Sequence, residues 1–150
     1  FNAQNLANTA WAFATAGISS RTLFEAIAAE APAQMRHFKP QELASTAWAF
    51  ATAGISSPAL FEAIAAEAGA QTRLFNPQGL ANTAWAFATA GISSPALFEA
   101  IAAEAGAQMR LFNPQGLANT AWAFATAGIS STTLFEAITA EALAQMRHFK

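Results

Sequence analysis

Trp11, Trp48, Trp85 and Trp122 stand 37 residues apart, each inside a near copy of Asn-Thr-Ala-Trp-Ala-Phe-Ala-Thr-Ala-Gly-Ile-Ser-Ser. Identical units present identical faces, which they can bury only against copies of themselves, so a fixed step of this length predicts a stacked repeat array. Phe1, Phe38, Phe75, Phe112 and Phe149 keep the same step and divide the chain into units 1–37, 38–74, 75–111 and 112–148, with a fifth starting at 149. Residues 1–150 therefore read as one array. Because it begins and ends at unit boundaries, it is expected to be a piece of a longer one.

The breakers of each unit fall at two places. Asn76-Pro77 combines a side chain that caps a helix N-terminus with a residue tolerated at the first helical position, where no N–H is needed. Helix-compatible residues follow from Leu80 to Ala90, and Gly91 suits a left-handed C-terminal cap. Ser93-Ser94-Pro95 repeats the start signal, and Leu97 to Leu111 predicts a second helix of about four turns. The chain lacks Val and Tyr, is dominated by Ala and shows no sustained period-two alternation, which argues against strands. The expected fold class is all-α, a right-handed α-solenoid of helix-turn-helix repeats with a 37-residue period.

Little here supports catalysis. The chain has no Cys, which removes disulfides, thiolate nucleophiles and Cys-ligated zinc. His37 and His148 share a repeat position occupied elsewhere by Leu74 and Leu111, which fits an inter-repeat shoulder better than a metal or acid–base site. Glu25 and Glu30, with their equivalents, are five apart and diverge by about 140° on a helix, so they do not converge on one substrate. Neither enzyme activity nor a metal or cofactor is expected. Although 54% of residues are hydrophobic, no apolar run reaches the length of a membrane span, and no membrane association is expected.

Projection at about 100° per residue gives the first helix two sides. In the third unit Leu80, Ala84 and Phe87 form the face expected to be buried, with Ala81, Ala88 and Trp85 beside it. Gly79, Asn82, Ala86 and Thr89 form a small, polar stripe opposite. Two stripe positions vary between units while the Leu, Trp and Phe do not: Asn5/Glu42/Gly79/Gly116 and Asn8/Ser45/Asn82/Asn119. Variation on a fixed scaffold is what a modular reader shows, one unit at a time. Pro32/Gly69/Gly106/Leu143 also vary, on the outward side of the second helix, and read as drift.

The run Phe-Asn-Pro-Gln-Gly-Leu-Ala-Asn-Thr-Ala-Trp-Ala-Phe-Ala-Thr-Ala-Gly, as in Phe75 to Gly91, resembles the octotricopeptide and heptatricopeptide repeats of organelle RNA-binding proteins. The likeness covers the whole chain. It implies that first helices line a concave groove holding single-stranded RNA at roughly one nucleotide per repeat, in RNA processing, stability or translation within a chloroplast or mitochondrion. On that basis Asn5, Asn8, Glu42, Ser45, Asn82 and Asn119 would face bases, with Gly79 and Gly116 leaving room. Gln4, Gln41, Gln78 and Gln115 stand at the edge of the stripe.

Charge complicates that account, since the net charge is −2. Arg36, Arg73, Arg110 and Arg147 project to the outer side of the second helix, where they would offset its C-terminal dipole and pair with Glu. Positive potential is expected instead from first-helix N-termini, whose free N–H groups can hold phosphate oxygens, and from Lys39 and Lys150, which replace the capping Asn. The tryptophans project to the shoulder of the core and read as inter-repeat packing. The alternative function is a protein-interaction scaffold, because helical solenoids also bind peptides and partner helices.

Overall fold

The structure, a computed structural model, describes residues 1–147. His148, Phe149 and Lys150, read above as a shoulder, a unit start and a groove cation, lie outside the described residues. First helices are α1 (Ala3–Ala16), α3 (Pro40–Ala53), α5 (Pro77–Ala90) and α7 (Pro114–Ala127). Second helices are α2 (Arg21–Glu30), α4 (Pro58–Ala70), α6 (Pro95–Ala107) and α8 (Thr132–Arg147). No strand occurs among the described residues.

The helix boundaries follow from local chemistry. Asn76 and Asn113 accept the third amide of α5 and α7, at 2.7 Å each. At the other end Gly17, Gly54, Gly91 and Gly128 take φ between +71° and +74°. The Gly91 N–H then donates to the Ala88 carbonyl and the Ile92 N–H to that of Phe87, which closes the last turn. An added Cβ at Gly91 would meet no atom within 4 Å, so Gly91→Ala isolates backbone strain. Unfolding in urea is expected to show a loss of about 1–2 kcal/mol. An unchanged midpoint would contradict this reading of the cap. Ser57 and Ser94 make no capping bond, and Pro58 and Pro95 start α4 and α6 through their fixed φ.

The second helix is shorter than predicted. In the third unit α6 stops at Ala107, and Met109–Leu111 continues as a 3-10 turn. Gln108 stands at the break, donating to the Phe75 carbonyl at 2.9 Å and to the Glu104 carboxylate at 2.9 Å. Gln34, Gln71 and Gln145 make the same bond to the carbonyls of Phe1, Phe38 and Phe112. Each glutamine thus ties the end of a unit to its own beginning. The position read as drift coincides with the length of the second helix: α2 stops before Pro32, α4 and α6 contain Gly69 and Gly106 in their last turns, and α8 runs through Leu143 to Arg147. Pro and Gly are the two weakest helix formers, and Leu is among the strongest.

First helices stack on first helices, α1 on α3, α3 on α5 and α5 on α7, while α4, α6 and α8 follow one another in a second row. A phenylalanine edge joins each unit to the next. Phe24 meets Phe50, Phe61 meets Phe87 and Phe98 meets Phe124, each pair with centroids 4.9 Å apart and rings steeply crossed. All six rings are fully buried. Ala86 and its equivalents in the second and fourth units, Ala49 and Ala123, are buried as well, which corrects the placement of this position on an open stripe. Closely packed first helices cover that side; Ala12, with no first helix before it among the described residues, stays exposed. Thr46, Thr83 and Thr120 are buried beside them, their hydroxyls satisfied by carbonyls four residues back.

Candidate nucleic-acid interface

With Ala86 covered, the open face of α5 carries Gln78, Asn82, Trp85 and Thr89, at steps of four, three and four. Gln78 and Thr89 are exposed; Asn82 and Trp85 are half-buried. That face is rotated from the predicted stripe by roughly 50°, toward Trp85. Repetition in the neighbouring first helices turns it into a groove.

Two lined depressions follow one another along the array. The larger, about 670 Å³, draws on three units: Asn8 and Trp11 from the first, Lys39, Gln41 and Ser45 from the second, Gln78, Gly79 and Asn82 from the third. The smaller, about 300 Å³, is lined by Gln78, Asn82, Gln115, Gly116 and Asn119. Gln78 and Asn82 belong to both, so the depressions are parts of one groove crossing four units. A groove that long suits an extended ligand better than a compact one. Asn8, Ser45, Asn82 and Asn119 thus share one surface with Gln41, Gln78, Gln115 and Lys39. Gly79 and Gly116 also line it, and an added Cβ at either would press on the capping Asn and the preceding Phe at 3.1–3.3 Å.

Other candidates are placed differently. Asn5 and Glu42 are engaged at helix N-termini: the Asn2 N–H donates to Asn5 Oδ1 at 3.1 Å, and the Lys39 N–H to Glu42 Oε1 at 3.0 Å. Lys39 has no acceptor to offer as a cap, and Glu42 serves that end instead. Variation at this position therefore follows capping chemistry. Gln4 is exposed on α1 and lines neither depression.

The expected free amides at the first-helix N-termini are partly occupied. Pro at the first position has no N–H, and the third amides of α1, α5 and α7 are bonded to Asn2, Asn76 and Asn113. Three arginines of the column depart from expectation, whereas Arg147 stands in the last turn of α8 as predicted. Arg36, Arg73 and Arg110 lie in the 3-10 turns leading into the next first helix, and all are exposed. Leu74 and Leu111, which follow Arg73 and Arg110 in the chain, line the groove. Glu67, Glu104 and Glu141 accept from Gln71, Gln108 and Gln145 rather than pairing with these arginines.

The tryptophans are the functional candidates that single-helix projection passed over. Trp11 is 48% exposed and Trp122 47%, and Trp11 lines the larger depression. They also pack between repeats as predicted, with the rings of Trp85 and Trp122 at 6.5 Å. Among the described residues no group of three or more His, Cys, Asp or Glu could hold a metal ion, and no helix is long and apolar enough to cross a membrane. His37 is exposed.

A family model described as RNA-editing substrate-binding complex 6 protein matches residues 1–150. No curated protein matches the chain.

Proposed function

Since the chain belongs to the RNA-editing substrate-binding complex 6 family, we propose that it binds single-stranded RNA selectively, holding it in the groove of the first helices. Asn8, Ser45, Asn82 and Asn119 read bases from successive units, and Gln41, Gln78 and Gln115 flank them. Lys39 contributes a phosphate contact. The observation that carries this reading is the continuous groove, which gathers the equivalent Asn, Ser and Gln side chains of four units. Asn and Gln present a donor and an acceptor side by side, and single-stranded RNA offers unpaired base edges to them.

In this reading residues 1–150 are one array, a right-handed α-solenoid advancing 37 residues per unit. The stacking of first helices on first helices supports that form. The resemblance to octotricopeptide and heptatricopeptide repeats supports about one nucleotide per unit, hence about four in all. The chain binds RNA without transforming it. Its work belongs to RNA editing, beside protein partners of an editing complex, and to the mitochondrion rather than the chloroplast.

Selection from a random single-stranded RNA pool at low salt, with DNA and duplex RNA as competitors, tests the proposal. Units three and four carry the same Gln, Gly and Asn, so the enriched motif is expected to repeat one base at adjacent positions. The net charge of −2 favours a second reading, a protein scaffold using the same groove. No enrichment from a monomeric, helical sample, together with no binding of single-stranded RNA in direct titration, would favour that second reading.

A further inference from the structure

We infer that the four tryptophans form a stacking rail along the groove, and that stacking rather than phosphate contact supplies most of the affinity for a single strand. This inference rests on the RNA reading above and adds to it the mode of binding.

Trp11, Trp48, Trp85 and Trp122 each follow the base-facing residue of their unit, Asn8, Ser45, Asn82 or Asn119, by three positions. Residues three apart share one side of a helix, so each indole lies one turn beyond an amide or hydroxyl on the same face. The indoles are arranged differently from the core phenylalanines. Trp85 and Trp122 are 6.5 Å apart and inclined by only 34°, whereas the Phe pairs are at 4.9 Å and crossed at 68° to 84°. Crossed rings bury one another's edges; shallowly inclined rings present faces in series. Phe87 is fully buried, whereas Trp85, in the same helix and with a first helix on either side, is only half-buried and shares the open face with Asn82. Trp11 lines the larger depression beside Asn8, and the other indoles hold the equivalent place in their units.

Charge points the same way. Among the described residues Lys39 is the one lysine or arginine lining either depression. A ligand held mainly through phosphates needs several such cations, and its affinity falls steeply with salt. Flat aromatic surface beside hydrogen-bonding side chains fits unstacked bases instead, because every base has a π-face. The rail supplies sequence-tolerant affinity; the Asn and Ser side chains supply selectivity. Duplex bases, stacked on one another, are excluded.

The test is a titration of the chain with single-stranded oligo(A) and oligo(U) 12-mers, followed by tryptophan fluorescence across a salt series. Expected are strong quenching at saturation and tighter binding of the better-stacking oligo(A). The log–log salt slope should be near −0.7, the value for about one cation on a single strand. Trp85→Leu with Trp122→Leu should raise Kd at least about tenfold, and Trp85→Phe with Trp122→Phe should restore most of it. RNA bound without quenching, or with a slope steeper than about −2, overturns the rail and leaves RNA binding standing. Should the Leu variant misfold, the quenching and slope of the unsubstituted chain still decide. Absence of binding to either oligonucleotide, together with an unenriched pool, overturns the RNA reading and the rail together.

Discussion

Phe87→Ala is expected to lower the unfolding free energy by about 3–5 kcal/mol, the range for removing a buried aromatic ring from a packed core. Phe87 is fully buried, and its ring meets Phe61 edge-on at 4.9 Å. It lies in α5, which packs against α3 on one side and α7 on the other. Stability in a stacked array is a sum of unit terms and nearest-neighbour interface terms, and this ring belongs to an interface in the middle. The substitution should therefore broaden the transition as well as lower its midpoint, because the units on either side lose their coupling. Urea unfolding followed by circular dichroism measures both. A loss under about 1 kcal/mol with an unchanged transition width would mean that the phenylalanine edges do not join the units.

Asn82→Asp combined with Asn119→Asp is expected to raise the Kd for the selected RNA at least about a hundredfold, about tenfold for each lost base contact. Each amide lines the groove and offers a donor that a carboxylate lacks. Two added negative charges would also face phosphates across a surface whose lining, among the described residues, holds one lysine. Neither side chain is fully buried, so far-UV circular dichroism should not change. Unchanged affinity in a folded double variant would remove both residues from the interface.

The helix ends were legible because their causes are local. Asn76, Pro77 and Gly91 act within one turn of themselves, and the structure uses them as read. Exposure was less legible. Projection around one axis assigns Ala86 and Trp85 to neighbouring sectors, yet the adjacent first helices cover the alanine and leave the indole half open. Which sector faces a neighbour is decided by interhelical packing, and no spacing within one helix encodes it. The variation at Asn5, Glu42, Gly79 and Gly116 was visible but had two sufficient causes, and the bonds to Asn2 and Lys39 identify capping in the first two units. The early end of the second helix involves Gln108 reaching a carbonyl 33 positions back, a partnership with no trace in local propensity.

The glutamine ties have a consequence for how such a chain changes over generations. Every side-chain hydrogen bond among the described residues begins and ends within a single unit, including Gln71 to Phe38, Thr83 to Gly79 and Gln145 to Glu141. Neighbours share apolar faces that repeat from one junction to the next. Duplicating or deleting one internal 37-residue block would therefore orphan no side-chain donor or acceptor and would recreate the same junction. Copy number can drift at little structural cost, and under the proposed function the length of RNA held would drift with it.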